Sequence, residues 1–65
     1  MCLSTVINVN GPEPSVLCKN IQNVKVDPTD GKLTFTDIMG IQYESFGKIK
    51  SIDLIDNKIM IEDEN

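Results

Sequence analysis

The chain has 65 residues, 25% of them charged and 40% hydrophobic, with a net charge of −4 and neither histidine, arginine nor tryptophan. Ten carboxylates against six lysines count against a nucleic-acid partner, because phosphate binding draws most of its affinity from an electropositive face. Without histidine, neither a Ser-His-Asp nor a Cys-His nucleophilic arrangement can be assembled from one chain, so the composition argues against an enzyme.

A chain of this length buries only about 60% of its unfolded surface, so a metal or a partner subunit would help it stay folded. No apolar run approaches the ~20 residues that span a bilayer, and no signal peptide precedes Cys2. The expected compartment is the cytoplasm, with both thiols reduced.

In chain order, Leu3 to Val9 is dominated by aliphatic and β-branched residues and reads as a strand. Asn10-Gly11-Pro12-Glu13-Pro14 breaks it. Ser15 to Val26 is extended again, and Lys19-Asn20 marks a bend or bulge that would divide the run into two short strands. Asp27-Pro28-Thr29-Asp30-Gly31 is the strongest turn signal. From Lys32 to Thr36 the pattern alternates, with Leu33 and Phe35 on the buried side.

Gly40 permits a reversal after Met39, Ile41 to Phe46 forms a further strand, and Gly47 supplies a kink or turn. Lys48 to Ile55 and Lys58 to Ile61 then flank Asp56-Asn57, a two-residue turn whose residues tolerate left-handed conformations. Glu62 to Asn65 reads as a frayed tail. No helical stripe appears. The expected fold is all-β: one domain over residues 1–65, a small SH3-like or Sm-like barrel of five or six short antiparallel strands. Closure would remove exposed sheet edges.

Two cysteines, Cys2 and Cys18, lack the C-x-x-C spacing of a redox pair or a closed zinc site. A hairpin turning near Pro12 sets Val9 opposite Ser15 or Val16, Cys18 opposite Val6 or Ile7, and Cys2 opposite Gln22 or Asn23. That separates the thiols beyond disulfide reach. Cys18 is expected in the core. Cys2 has two readings: a small apolar strand residue, or a soft thiolate ligand set beside main-chain nitrogens that suits Ni(II) or Cu(II).

Asp27 with Asp30, and Asp53 with Asp56, are expected to serve turns rather than acid–base chemistry. Met39 and Met60 read as core filling. Of the aromatic residues Phe35, Tyr43 and Phe46, Phe35 is expected in the core, which leaves little stacking surface for single-stranded RNA.

Met1-Cys2-Leu3-Ser4-Thr5-Val6 resembles the Met-Cys start of the CooT-like small nickel-binding proteins. Further segments fit the same family: Lys19 to Val26, the Thr36-Asp37-Ile38-Met39-Gly40 centre, Gly47 to Leu54, and Lys58 to Glu62. The resemblance covers nearly the whole chain, and the Met-Cys terminus is its distinctive part. It implies a carrier rather than an enzyme, supplying Ni(II) to carbon monoxide dehydrogenase or another nickel enzyme, with Cys2 as the ligand carried over.

Members of this family are also catalogued as predicted RNA-binding proteins, so an Sm-like RNA module is the competing expectation. Cys2 would bind with main-chain nitrogens, among them the terminal amine or the amide of Leu3. Removal of Met1 would place a free amine beside the thiol. A homodimer would bring two Cys2 residues to a shared site.

Overall fold

A computed structural model describes residues 2–64. Its strands are β1 (Ser4–Asn8), β2 (Ser15–Val26), β3 (Lys32–Asp37), β4 (Gln42–Asp53) and β5 (Lys58–Asp63). Each pairs with the next, and β5 closes on β1 to complete a barrel. The four sequential pairings are antiparallel, as expected. The closing pair is parallel, running from Thr5↔Lys58 to Asn8↔Ile61. Direction reverses at every hairpin, so in a five-stranded meander the first and last strands must point the same way.

Five strands suffice because β2 and β4, at 12 residues each, serve two partners apiece. The first part of β2 lies on β1 and the part from Ile21 onward on β3. The changeover falls at the expected bend, where Asn20 has φ 59°. In β4, Gln42–Phe46 pairs with β3 and Gly47–Asp53 with β5. Gly47 is therefore not a turn but an interior strand position. A Cβ there would overlap the Glu62 carbonyl, so glycine is required by the close approach of β5.

Two further expectations at this end are corrected. The last reversal spans four residues, 54–57, rather than Asp56-Asn57 alone, and it does use left-handed Asn57 at φ 56°. Glu62 and Asp63 are not frayed: they continue β5 opposite Lys48 and Gly47, and the Glu64 N–H donates to the Phe46 carbonyl at 2.8 Å. Asn65 lies outside the described residues.

The core is Val6, Cys18, Ile21, Leu33, Phe35, Ile59 and Ile61, with Val24 and Ile49 packed against it. The alternation along β3 buries Leu33, Phe35 and Asp37 in turn. Met39 is not core filling; it is 81% exposed. The inward position after Phe35 belongs to Asp37, and the chain reverses immediately beyond it at Gly40, φ +86°, which leaves Met39 on the turn. Met60 is half-buried between inward Ile59 and Ile61.

Candidate functional site

The leading end of β1 is fixed from both sides. Ser4 lies opposite Ile21, which on its other edge lies opposite Asp37. The Thr5 N–H donates to the Asn57 carbonyl at 2.9 Å, tying β1 to the β4–β5 turn. Cys2 stands two residues ahead of this anchored point, outside the strand, exposed and with a free thiol. The ladder with β2 begins at Ser4, so Cys2 does not reach the Gln22 or Asn23 partner that simple register counting suggests. Met1 lies outside the described residues.

Cys18 occupies the opposite situation. It sits across from Val6, one of the two partners expected for it. Val9 was expected opposite Ser15 or Val16, whereas Asn8 takes Ser15 and Ile7 takes Val16; shifts flanking Val6 absorb the difference. Burial first, and then the negative charge of Asp37, push the Cys18 thiol up from its ordinary range. Cys18 is thus a protonated core side chain, while a metal needs thiolate.

Asp37 is the polar group that sequence reasoning missed. Its Oδ1 accepts from the N–H groups of Met39 (2.8 Å) and Ile41 (3.0 Å), and its Oδ2 accepts from the Tyr43 hydroxyl at 3.2 Å. That last bond, with burial and the carboxylate charge behind it, raises the Tyr43 pKa. The available signal was an aspartate in the inward phase of Leu33, Phe35, Asp37, three residues before a glycine. A carboxylate with three protein donors anchors the turn that follows it.

Asp27, Asp30 and Asp53 serve turns as expected, and Asp56 lies within one. Asp27 Oδ1 accepts from the N–H and hydroxyl of Thr29, and the hydroxyl bond leads in lowering its pKa. Asp30 Oδ1 accepts from Lys32 N–H, and Asp53 Oδ1 from Ile55 and Asp56 N–H groups. Among the described residues no cluster of three or more His, Cys, Asp or Glu side chains is placed to hold a metal.

Of the three aromatic residues weighed for stacking, Phe35 is buried, Tyr43 donates its hydroxyl to Asp37, and Phe46 is 42% exposed. Lys32 pairs with Glu44 at 2.9 Å, which holds its pKa up, and Lys50 pairs with Glu62 at 3.8 Å. A groove of about 360 Å³ crosses the outer face of β2, β3 and β4, lined by Lys25 and Lys32 but equally by Asp27 and Glu44, with no aromatic ring. Single-stranded RNA requires a net positive track and stacking platforms, and this groove offers neither.

Among the described residues no helix is long and apolar enough to cross a membrane. No curated protein matches the chain. A crystal structure of a Carboxydothermus hydrogenoformans protein described as a candidate CooT is similar to it, with a TM-score of 0.83 and 26% identity, covering 98% of this chain and all of that one. The model of the family described as "CO dehydrogenase accessory protein CooT" matches residues 1–62. The role named in that description is accessory to an enzyme rather than that of the enzyme itself. With nearly its whole length matched, the chain belongs to the CooT family of CO dehydrogenase accessory proteins.

Proposed function

We propose that the protein carries Ni(II) for CO dehydrogenase or another nickel enzyme in the cytoplasm, the metal held by the Cys2 thiolate together with main-chain nitrogens of the leading segment. The observation that supports this reading is the contrast between the thiols: Cys2 is exposed and free of the sheet, while Cys18 is sealed in the core. A thiolate with amine or amide nitrogens in one plane suits Ni(II). A single side-chain ligand on a solvent-facing segment favours release as well as capture, as delivery requires.

The test is a Ni(II) titration of reduced protein followed by ultraviolet absorption, with Cys2→Ala and Cys18→Ala alongside. The expected result is a saturable thiolate-to-metal band in wild type and Cys18→Ala that is lost in Cys2→Ala. Binding should weaken as the pH is lowered, because protons compete for thiolate and nitrogen. One ion per two chains would assign a site shared by two Cys2 residues. An equal response from Cys2→Ala and wild type would refute the proposal.

A further inference from the structure

Two glycines follow a residue with a short carbonyl-bearing side chain: Gly11 follows Asn10, and Gly31 follows Asp30. Such pairs share a latent reaction. The glycine nitrogen lies within reach of the preceding Cγ, and no Cβ hinders the closing of a five-membered ring. The fold disarms one pair. Gly31 N–H donates to the Asp27 carbonyl at 3.1 Å, and Asp30 Oδ1 accepts from Lys32 N–H at 3.0 Å, so both reacting groups are occupied.

The other pair is left open. Among the described residues the Gly11 N–H has no acceptor. Gly11 holds φ 140°, with no atom within 4 Å of the position a Cβ would take. Asn10 is exposed, and its side chain is held by one bond, from Nδ2 to the Asp63 carbonyl, where water competes for both groups. The remaining described asparagines are placed differently. Asn8, Asn20 and Asn23 lie within strands and precede Val9, Ile21 and Val24, whose branched side chains crowd the nitrogen; Asn57 precedes the first residue of β5.

We propose that Asn10 is a self-modification site, converting through a cyclic imide to aspartate and isoaspartate and so releasing the β1–β2 loop from the end of β5. The Gly11 nitrogen gives its proton to solvent and attacks Asn10 Cγ. The N–Cγ bond forms, the Cγ–Nδ2 bond breaks, and Nδ2 takes up a proton and leaves as ammonia. Water then opens the imide. Cleavage between the Gly11 nitrogen and Cγ leaves aspartate; cleavage at the Asn10 main-chain carbonyl carbon leaves isoaspartate, with one more methylene in the main chain. Nothing is oxidised or reduced.

The conversion matters because of what the amide holds. Asn8 Oδ1 accepts from Asn10 N–H at 3.0 Å and from Asp63 N–H at 3.1 Å, while Asn10 Nδ2 donates to the Asp63 carbonyl. The loop is thus bonded to both main-chain groups of Asp63. Either product sets a carboxylate oxygen against that carbonyl, in a cleft of about 430 Å³ also lined by Glu62, Asp63 and Glu64, with Lys48 as its one cation. Attraction becomes repulsion. The inference is independent of the metal reading, since Asn10 follows the trailing end of β1 and Cys2 precedes its leading end.

The test incubates wild type and Asn10→Gln in neutral buffer, folded and unfolded in urea, and maps their peptides by mass spectrometry with an isoaspartate-specific methyltransferase. Folded wild type should change from amide to acid at Asn10, with isoaspartate appearing there, while Asn10→Gln, which must close a larger ring, stays intact. Asp30 should form isoaspartate only in the unfolded chain. Asn10→Asp carries the product charge from the outset, and its Asp63 and Glu64 amide hydrogens should exchange about fivefold faster than those of wild type. Conversion of Asn10 only in urea overturns the proposed site, and isoaspartate at Asp30 in folded protein at the unfolded rate overturns the protection on which the contrast rests. Unchanged exchange in Asn10→Asp overturns the release of β5.

Discussion

Cys2 and Cys18 are the same side chain in two physical settings sixteen positions apart. Cys18 faces inward from β2, in a core with Phe35 and Leu33, and burial keeps it a thiol. Cys2 stands ahead of the first ladder pair, where water, reagents and metal ions reach it. Residue type alone therefore says little about a cysteine; the ladder that includes one and omits the other separates structural sulfur from chemical sulfur.

The largest expected effect abolishes this contrast. In native protein, iodoacetamide should label Cys2 at least about a hundredfold faster than Cys18, which reacts only when the core opens. Phe35→Ala should cost about 3–5 kcal/mol, most of the stability of so small a domain, and bring the two labelling rates together. Persistent protection of Cys18 in that variant would show that the core does not rest on Phe35.

A smaller effect is expected at the β4–β5 seam. Gly47→Ala introduces a methyl against the Glu62 carbonyl and should destabilise by about 3 kcal/mol in urea unfolding. Cys18 labelling should rise while Cys2 labelling stays the same. Equal stability to wild type would mean that β5 can step away from β4 at little cost.

The smallest effect is with pH. Cys18 and Tyr43 both have raised pKa values in the fold, so each favours the folded state while protonated. Their contribution is complete below the ordinary thiol and phenol ranges, and is lost as pH rises through the raised values. Stability should decline on the alkaline side, and Cys18→Ala should flatten part of that decline in urea titrations at stepped pH. An unchanged alkaline slope would show that Cys18 ionises as readily folded as unfolded.

Much of the fold could be read in advance because barrel strands announce themselves by alternation and their turns by Asn, Asp, Gly and Pro. Leu33 and Phe35, the Lys19-Asn20 bend and a partner of either Val6 or Ile7 for Cys18 were visible in this way. Two of the misreadings share one cause, contacts between residues far apart in sequence. Gly47 is a turn signal by composition, yet its role depends on Glu62 crossing it. Glu62 and Asp63 look like a polar tail until Lys48 and Gly47 are placed opposite them.

Met39 illustrates a subtler case: hydrophobicity implied burial, but the aspartate two residues earlier had already begun the reversal. At the candidate site, only Cys2 could be singled out, and the resemblance of the terminal motif rather than its spacing did so.

The parallel closure of β5 on β1 has a practical consequence. Since Thr5 aligns with Lys58 and Asn8 with Ile61, the two outer strands travel together. The chain thus leaves the barrel one strand length, about 17 Å, from the level at which β1 begins. Anything attached beyond Glu64, such as a purification tag, a surface tether or a fluorophore, stands off from the Cys2 rim. A layer of protein immobilised by that trailing end would turn its thiols outward in one common orientation, whereas the same attachment at the leading end would smother them.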